Sequence, residues 1–223
     1  MPEFDTVILA GGRAARMGGA DKPALIVGAE PMVVSVARAA VTAGASRLIV
    51  VGPRRPGPVL DALQGVAASG PAELRFAREE PPGSGPVAAL RCGLAEVAAP
   101  WLTLLAADLP FLRDRQLGEL LGRAMAAGRP GAVLADAVAR PQWLAGAWQA
   151  GALRAALRDY AGSSLHGLLA PLEPVSVQAA GQAAGQAAGQ AAGLMSWLDC
   201  DTPDDLAAAR QSWQLRDTGN EPR

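Results

Sequence analysis

The sequence predicts an α/β protein, a three-layer Rossmann-like sandwich with a mostly parallel central sheet. Three observations carry this. Short β-branched and aliphatic runs recur along the first 150 residues, helical segments of ten to fifteen residues separate them, and Gly or Asp stands where several runs stop. Strands alternating with helices make βαβ units, whose crossovers cover both faces of a parallel sheet. In such sheets ligands sit beyond the carboxyl ends of the strands.

The elements follow in order. FDTVILA (Phe4–Ala10) reads as a buried strand that runs straight into Gly11-Gly12. Pro31 opens a helix that Gly44 closes. RLIVVG (Arg47–Gly52) is a second strand, Pro58–Val66 a helix and LRFA (Leu74–Ala77) a third strand. PVAALRCGLAEV (Pro86–Val97) is helical, and WLTLLAA (Trp101–Ala107) is a strongly apolar strand ending on Asp108. Asp114–Ala127 is helical, and GAVLA (Gly131–Ala135) and QWLAGAW (Gln142–Trp148) are strands. Ala152–Tyr160 is helical, and Leu194–Asp199 reads as a last strand. Thr202 then caps a helix that has Pro203 at its first position and Asp205 three residues after the cap, an acidic capping box. Trp143 and Trp148 lie at odd spacing, which puts them on opposite faces of their strand.

One domain is expected over residues 1–216, with a frayed tail at 217–223. Residues 178–193 are four copies of QAAG, read as a repeat expansion in a surface loop. The chain has 223 residues, 50% of them hydrophobic, and a formal net charge of −1. No basic patch stands out, so neither nucleic acid nor a membrane surface is an expected partner. No apolar run is long enough to span a bilayer and the amino terminus has no signal-peptide pattern, so a cytoplasmic location is expected. Cys92 and Cys200 lack metal-ligand spacing and read as small hydrophobes in a reducing compartment.

The residues loaded with chemistry lie in LAGGRAARMGGADKP (Leu9–Pro23). Glycines after a buried strand let the backbone bend and approach a ligand closely. Successive amides then form an anion site, around which Arg13, Arg16 and Lys22 add positive charge. A polyphosphate suits such a donor set. The stretch is neither a dinucleotide fingerprint nor a Walker A loop, since no G-x-G-x-x-G is present and Pro23 follows Lys22. Lys22 is the only lysine among twenty Lys and Arg residues. A compact ammonium bridges oxygens in tight space where a planar guanidinium does not fit. Other groups have plainer readings. His166 is a surface or core side chain, Arg54-Arg55 a solvated loop, and Asp21 a carboxylate that fixes the Lys22 rotamer.

LAGGRAARMGGADKP resembles the signature loop of the molybdenum cofactor guanylyltransferases, within the nucleotidyltransferase superfamily. GSGPVAAL (Gly83–Leu90), LAADLPF (Leu105–Phe111) and DCDTPDDL (Asp199–Leu206) are similar to that family's later motifs, in the same order. The resemblance implies a nucleotidyltransferase-type fold that transfers GMP from GTP to molybdopterin and releases pyrophosphate. It implies that Leu9, Ala10, Gly11, Gly12 and Gly85 lie against the nucleotide. Arg13 and Arg16 would hold the triphosphate, Lys22 the reacting phosphate, and Asp108 a Mg²⁺ ion. Arg16, Lys22 and Asp108 are thus the expected catalytic residues. Asp201 or Asp199 is a candidate second metal ligand, with helix capping as the other reading of Asp201. Gly52 stands where some members have Asn, and Glu80 is the expected stand-in for an Asp at the third strand's end. One of the two tryptophans could stack on a pterin. Transient contact with molybdoenzyme assembly proteins is also implied. A cytidylyltransferase, a sugar- or alcohol-phosphate nucleotidyltransferase and a non-catalytic nucleotide-binding protein remain the alternatives.

Overall fold

A computed structural model of the chain describes residues 1–11, 21–178, 200 and 202–218, with side chains to 214. The expected positions Gly12, Arg13, Arg16 and Asp201, the strand at 194–199 and all of the QAAG tract after Gln178 lie outside these residues.

The centre is a seven-stranded sheet built from β1 (Phe4–Leu9), β4 (Arg47–Val51), β5 (Glu73–Ala77), β6 (Trp101–Ala106), β7 (Gly131–Ala135), β8 (Pro141–Gln149) and β9 (Val175–Gln178). The order across it is β5-β4-β1-β6-β8-β7-β9. β1 pairs in parallel with β4 and β6, β4 with β5, and β7 with β9, whereas β8 runs antiparallel to both neighbours. A separate two-stranded ribbon, β2 (Ile26–Val27) with β3 (Glu30–Pro31), precedes the first helix.

All six residues of β1 are buried, because helices cover both faces of the sheet. On one face α1 (Met32–Thr42), α2 (Pro58–Ala68) and α4 (Asp114–Ala126) pack on Ile8, Leu48, Val50 and Leu105. On the other, α3 (Pro86–Ala95), α5 (Ala150–Arg158) and α6 (Leu165–Leu169) pack on Val7, Ile49, Val51 and Leu104. At Gly93 of α3 an added Cβ would lie 2.7 Å from Val7 and 2.8 Å from Val51, so glycine is what lets this helix sit on the sheet. Polar groups buried within β1 and β6 are paired. Thr6 and Thr103 share a 2.8 Å hydrogen bond, and Asp5 accepts from the amides of Ala98 and Ala99 at 2.7 and 3.0 Å. Pairing of this kind offsets the cost of taking polar groups out of water.

A third, smaller cluster joins Val27, Met32, Phe111 and Cys200 to Leu206 and Ala209 of the C-terminal helix (Pro203–Thr218). The helix start has the expected box: Thr202 donates its amide and hydroxyl to the Asp205 carboxylate, and the Asp205 amide donates to Thr202 Oγ1.

The structure corrects the reading of the tryptophans. Trp148 is fully buried in the α3/α5/α6 cluster, and Trp143 packs against that same cluster. The cause is a bulge in β8. Val133 pairs with Gly146 but the next residue, Leu134, pairs with Gln142, so the strict alternation of side chains is lost between them.

The strand ends remain tied beyond the regular ladder. Ala10 donates to Val51 O at 2.8 Å, Gly52 to Ala77 O at 2.9 Å and Ala107 to Leu9 O at 3.1 Å. Gly52 has φ +141°, and an added Cβ would lie 2.8 Å from Ala10 C and Gly11 N. That contact is with backbone and cannot be relieved by turning a side chain. Gly52→Ala is therefore expected to cost about 2–4 kcal/mol, seen as a fall of roughly 4–10 °C in Tm by calorimetry.

Candidate active site

The carboxyl ends of β1, β4, β5 and β6 share one edge of the sheet, and several of the expected site residues lie just beyond those ends. Ala10 and Gly11 follow β1, Gly52 follows β4, and Asp108 follows β6. Lys22 begins a single 3-10 turn, Lys22–Ala24, with Pro23 buried beneath it. Leu25 donates back to Lys22 O at 3.0 Å, so the turn is held by its own backbone.

Lys22 Nζ contacts the Asp108 carboxylate in an ion pair whose side chains are only 15% and 18% exposed. Residues 86 apart in sequence are thus brought together, one by the chain leaving β1 and the other by the chain leaving β6. Gly85 has φ +95° and stands directly before Pro86 at the start of α3. Its positive φ turns the chain from the Gly83–Ser84 loop into the helix.

At the end of β5 the structure separates two neighbouring glutamates. Glu80 is exposed, whereas Glu79 is 8% exposed and buried beside the loop. Glu79 Oε1 accepts from the Gly83 amide at 3.1 Å and would lie 3.6 Å from a Cβ at Gly11. Glu79 Oε2 is buried without a hydrogen-bond partner. The glutamate buried next to Gly11 is therefore Glu79, one position before the Glu80 that the resemblance points to. Strand periodicity ends at Ala77, so nothing in the sequence distinguishes the two.

Arg54 and Arg55 also divide. The Arg54 guanidinium lies 5.0 Å from the Phe76 ring centroid. Arg55, whose side chain is 10% exposed, grips Asp21. Arg54 is exposed, as a solvated loop residue would be, whereas Arg55 is not a free solvated cation, and the Asp21 carboxylate lies on Arg55 rather than orienting Lys22. His166 is exposed and meets Trp143 edge-on, with centroids 5.4 Å apart. Burial pushes the Cys92 thiol above its ordinary pKa, partly opposed by a backbone hydrogen bond from Arg78, so Cys92 is a neutral thiol near pH 7.

Among the described residues no three His, Cys, Asp or Glu side chains cluster as a protein-only metal cage. Asp108 offers a single hard carboxylate. That donor set fits Mg²⁺, which keeps most of its shell as water and phosphate oxygens and takes only one or two carboxylates from a protein.

A doubly covered α/β sheet with cationic and carboxylate groups gathered at one carboxyl edge is the architecture of nucleotide-handling enzymes. Residues 6–175 match the MobA-like NTP transferase domain, and the chain belongs to that family. A probable molybdenum cofactor guanylyltransferase of Natronomonas pharaonis is 35% identical over 125 residues, 56% of this chain and 58% of that protein. A molybdenum cofactor guanylyltransferase of Pseudomonas putida is 33% identical over 135 residues, 60% of this chain and 64% of that protein. The similarity thus spans less than two thirds of either relative. Molybdopterin-guanine dinucleotide biosynthesis protein A from Archaeoglobus fulgidus has the same fold, with a TM-score of 0.66, 17% identity and coverage of 95% of this chain and 99% of that one.

Glu79→Gln tests the strain of the unpaired oxygen. It keeps an acceptor for the Gly83 amide and removes a buried charge. The expected result is a folded protein with Tm unchanged or raised by a few degrees, about 1 kcal/mol, measured by thermal melting at pH 7.

Proposed function

We propose that this chain transfers GMP from GTP to the terminal phosphate of molybdopterin, bare or carrying molybdenum. The products are the guanine dinucleotide form of the molybdenum cofactor and pyrophosphate. The observation that carries the reading is the contact between Lys22 and Asp108 at the mouth of the loop after β1. Family membership and the names of the two relatives support it.

The reaction is an in-line displacement. A phosphate oxygen of molybdopterin forms a bond to the α-phosphorus of GTP, the bond from that phosphorus to the bridging oxygen breaks, and the electron pair leaves with pyrophosphate. The nucleophile is an anion at neutral pH, so no protein base has to take a proton. What remains is to hold two like-charged groups together and neutralise them. Lys22 serves as a point charge on the reacting phosphate, and the backbone that follows Ala10 approaches nucleotide oxygens. Arg13 and Arg16 would add their charge along the triphosphate. Asp108 would hold Mg²⁺, which when bound neutralises phosphate charge, with Asp201 as the candidate second carboxylate. The proposed setting is cytoplasmic, with transient contact to molybdoenzyme assembly proteins.

Turnover is measured as pyrophosphate released from Mg·GTP in the presence of molybdopterin, with CTP in parallel. Wild type is expected to prefer GTP. Asp108→Ala and Lys22→Ala are each expected to lower kcat by about 10²–10³-fold in proteins that remain folded by circular dichroism. Unchanged pyrophosphate release in Asp108→Ala would refute the assignment.

A further inference from the structure

Arg55 makes an unusual number of directed contacts for a residue in a short connection between a strand and a helix. Its Nε donates to both Asp21 oxygens, at 2.9 and 2.7 Å. Its Nη2 donates to Asp21 Oδ1 and to the Ala10 carbonyl, both at 2.7 Å. Its Nη1 donates to the Pro53 carbonyl at 3.1 Å. Ala10 is the residue at which the chain enters the Gly/Arg-rich stretch, and Asp21 is the residue at which it emerges, next to Lys22. One guanidinium therefore ties the entrance and the exit of that stretch to the end of β4.

We propose that Arg55 is a positioning residue for Lys22 and for nucleoside triphosphate binding. Its action has two parts. The first is geometric: by holding Asp21 against Ala10, it sets where the 3-10 turn starts and so where the Lys22 ammonium lies relative to Asp108. Lysine at 55 cannot do this, since only the planar fork reaches a carboxylate with two donors while serving two carbonyls. The second is electrostatic. Asp21 is a carboxylate one residue from the cation that must meet a polyanion, and its side chain is 51% exposed. Unpaired, it would repel the triphosphate and compete for Lys22. Paired with Arg55, it does neither. The geometric part stands on the contacts above, and the triphosphate part rests on the proposed nucleotidyl transfer.

The experiment compares wild type with Arg55→Ala, Arg55→Lys, Asp21→Asn and the Arg55→Ala/Asp21→Asn double variant. Mg·GTP affinity is measured by calorimetry, pyrophosphate release by steady-state kinetics, and amide hydrogen exchange at Ala24 and Leu25, whose amides donate to Asp21 O and Lys22 O. Arg55→Ala is expected to weaken Mg·GTP binding about tenfold, to lower kcat about 10- to 100-fold and to speed exchange at both amides. Arg55→Lys should recover part of the affinity, through charge, but little of kcat. In the Asp21→Asn background, removal of Arg55 should cost clearly less affinity, because there is no carboxylate left to neutralise. A folded Arg55→Ala variant with wild-type affinity, kcat and exchange overturns the proposal. So does an affinity loss that Asp21→Asn leaves untouched. A wild-type chain that binds Mg·GTP but releases no pyrophosphate with molybdopterin overturns guanylyl transfer alone, since binding and exchange still decide the role of Arg55.

Discussion

Parallel pairing of β1 with both β4 and β6 is the constraint on which the site depends. In a parallel sheet every carboxyl end falls on one edge, so the loops that leave those ends must meet. The register makes this concrete. Leu9 pairs with Val51 and with Ala106, so the three strands end level with one another. The hydrogen bonds of Ala10, Gly52 and Ala107 carry the pairing a further residue. A shift of the register would move Asp108 along the edge and away from Lys22. The hydrophobic burial on both faces of β1 is what prevents such a slip, because it would displace a fully buried row of side chains.

The same edge is prepared electrostatically before any ligand arrives. Lys22 is paired with Asp108, Asp21 with Arg55, and Glu79 keeps one oxygen unpaired among buried neighbours. A shielded ammonium alone would be costly, and a carboxylate partner reduces that cost while holding the side chain in place. Such a pair is also readily remade. When an ammonium and a carboxylate are offered a phosphate and a metal ion respectively, each gains a partner of the opposite sign. Pairing within the protein therefore keeps the site ordered without closing it to a charged ligand.

The strands and helices that position this edge were legible because their signals are periodic and long. Buried runs such as WLTLLAA and the Pro86 helix start are visible in composition alone. The elements that the sequence reading omits are short or mixed. β2 and β3 have two residues each, α6 has five, and β9 is the half-polar VSVQ. The opposite-face reading of Trp143 and Trp148 fails because a bulge interrupts the alternation on which it rests. Glu79 and Arg55 failed for a different reason. Both lie in connections where no period exists, so burial depends on what folds over them from elsewhere. An Arg-Arg pair between Pro53 and Pro56 looks like a solvated loop until Asp21, 34 residues away, closes on it.

Lys22 and Arg55 also explain why the chain keeps a single lysine beside so many arginines. Arg55 has a static task, to hold one carboxylate and two carbonyls at fixed angles, and a planar fork with several donors does that well. Lys22, in the proposed transfer, has a task that changes partner: its ammonium lies on Asp108 here and would pass to a phosphate oxygen of the substrate. An ammonium donates in any direction around its axis, so it can pass between acceptors with a small rotation of its stem. A guanidinium would have to turn its whole plane in a space where the present side chain is only 15% exposed. The two cations thus differ in chemistry because one fixes the frame and the other works within it.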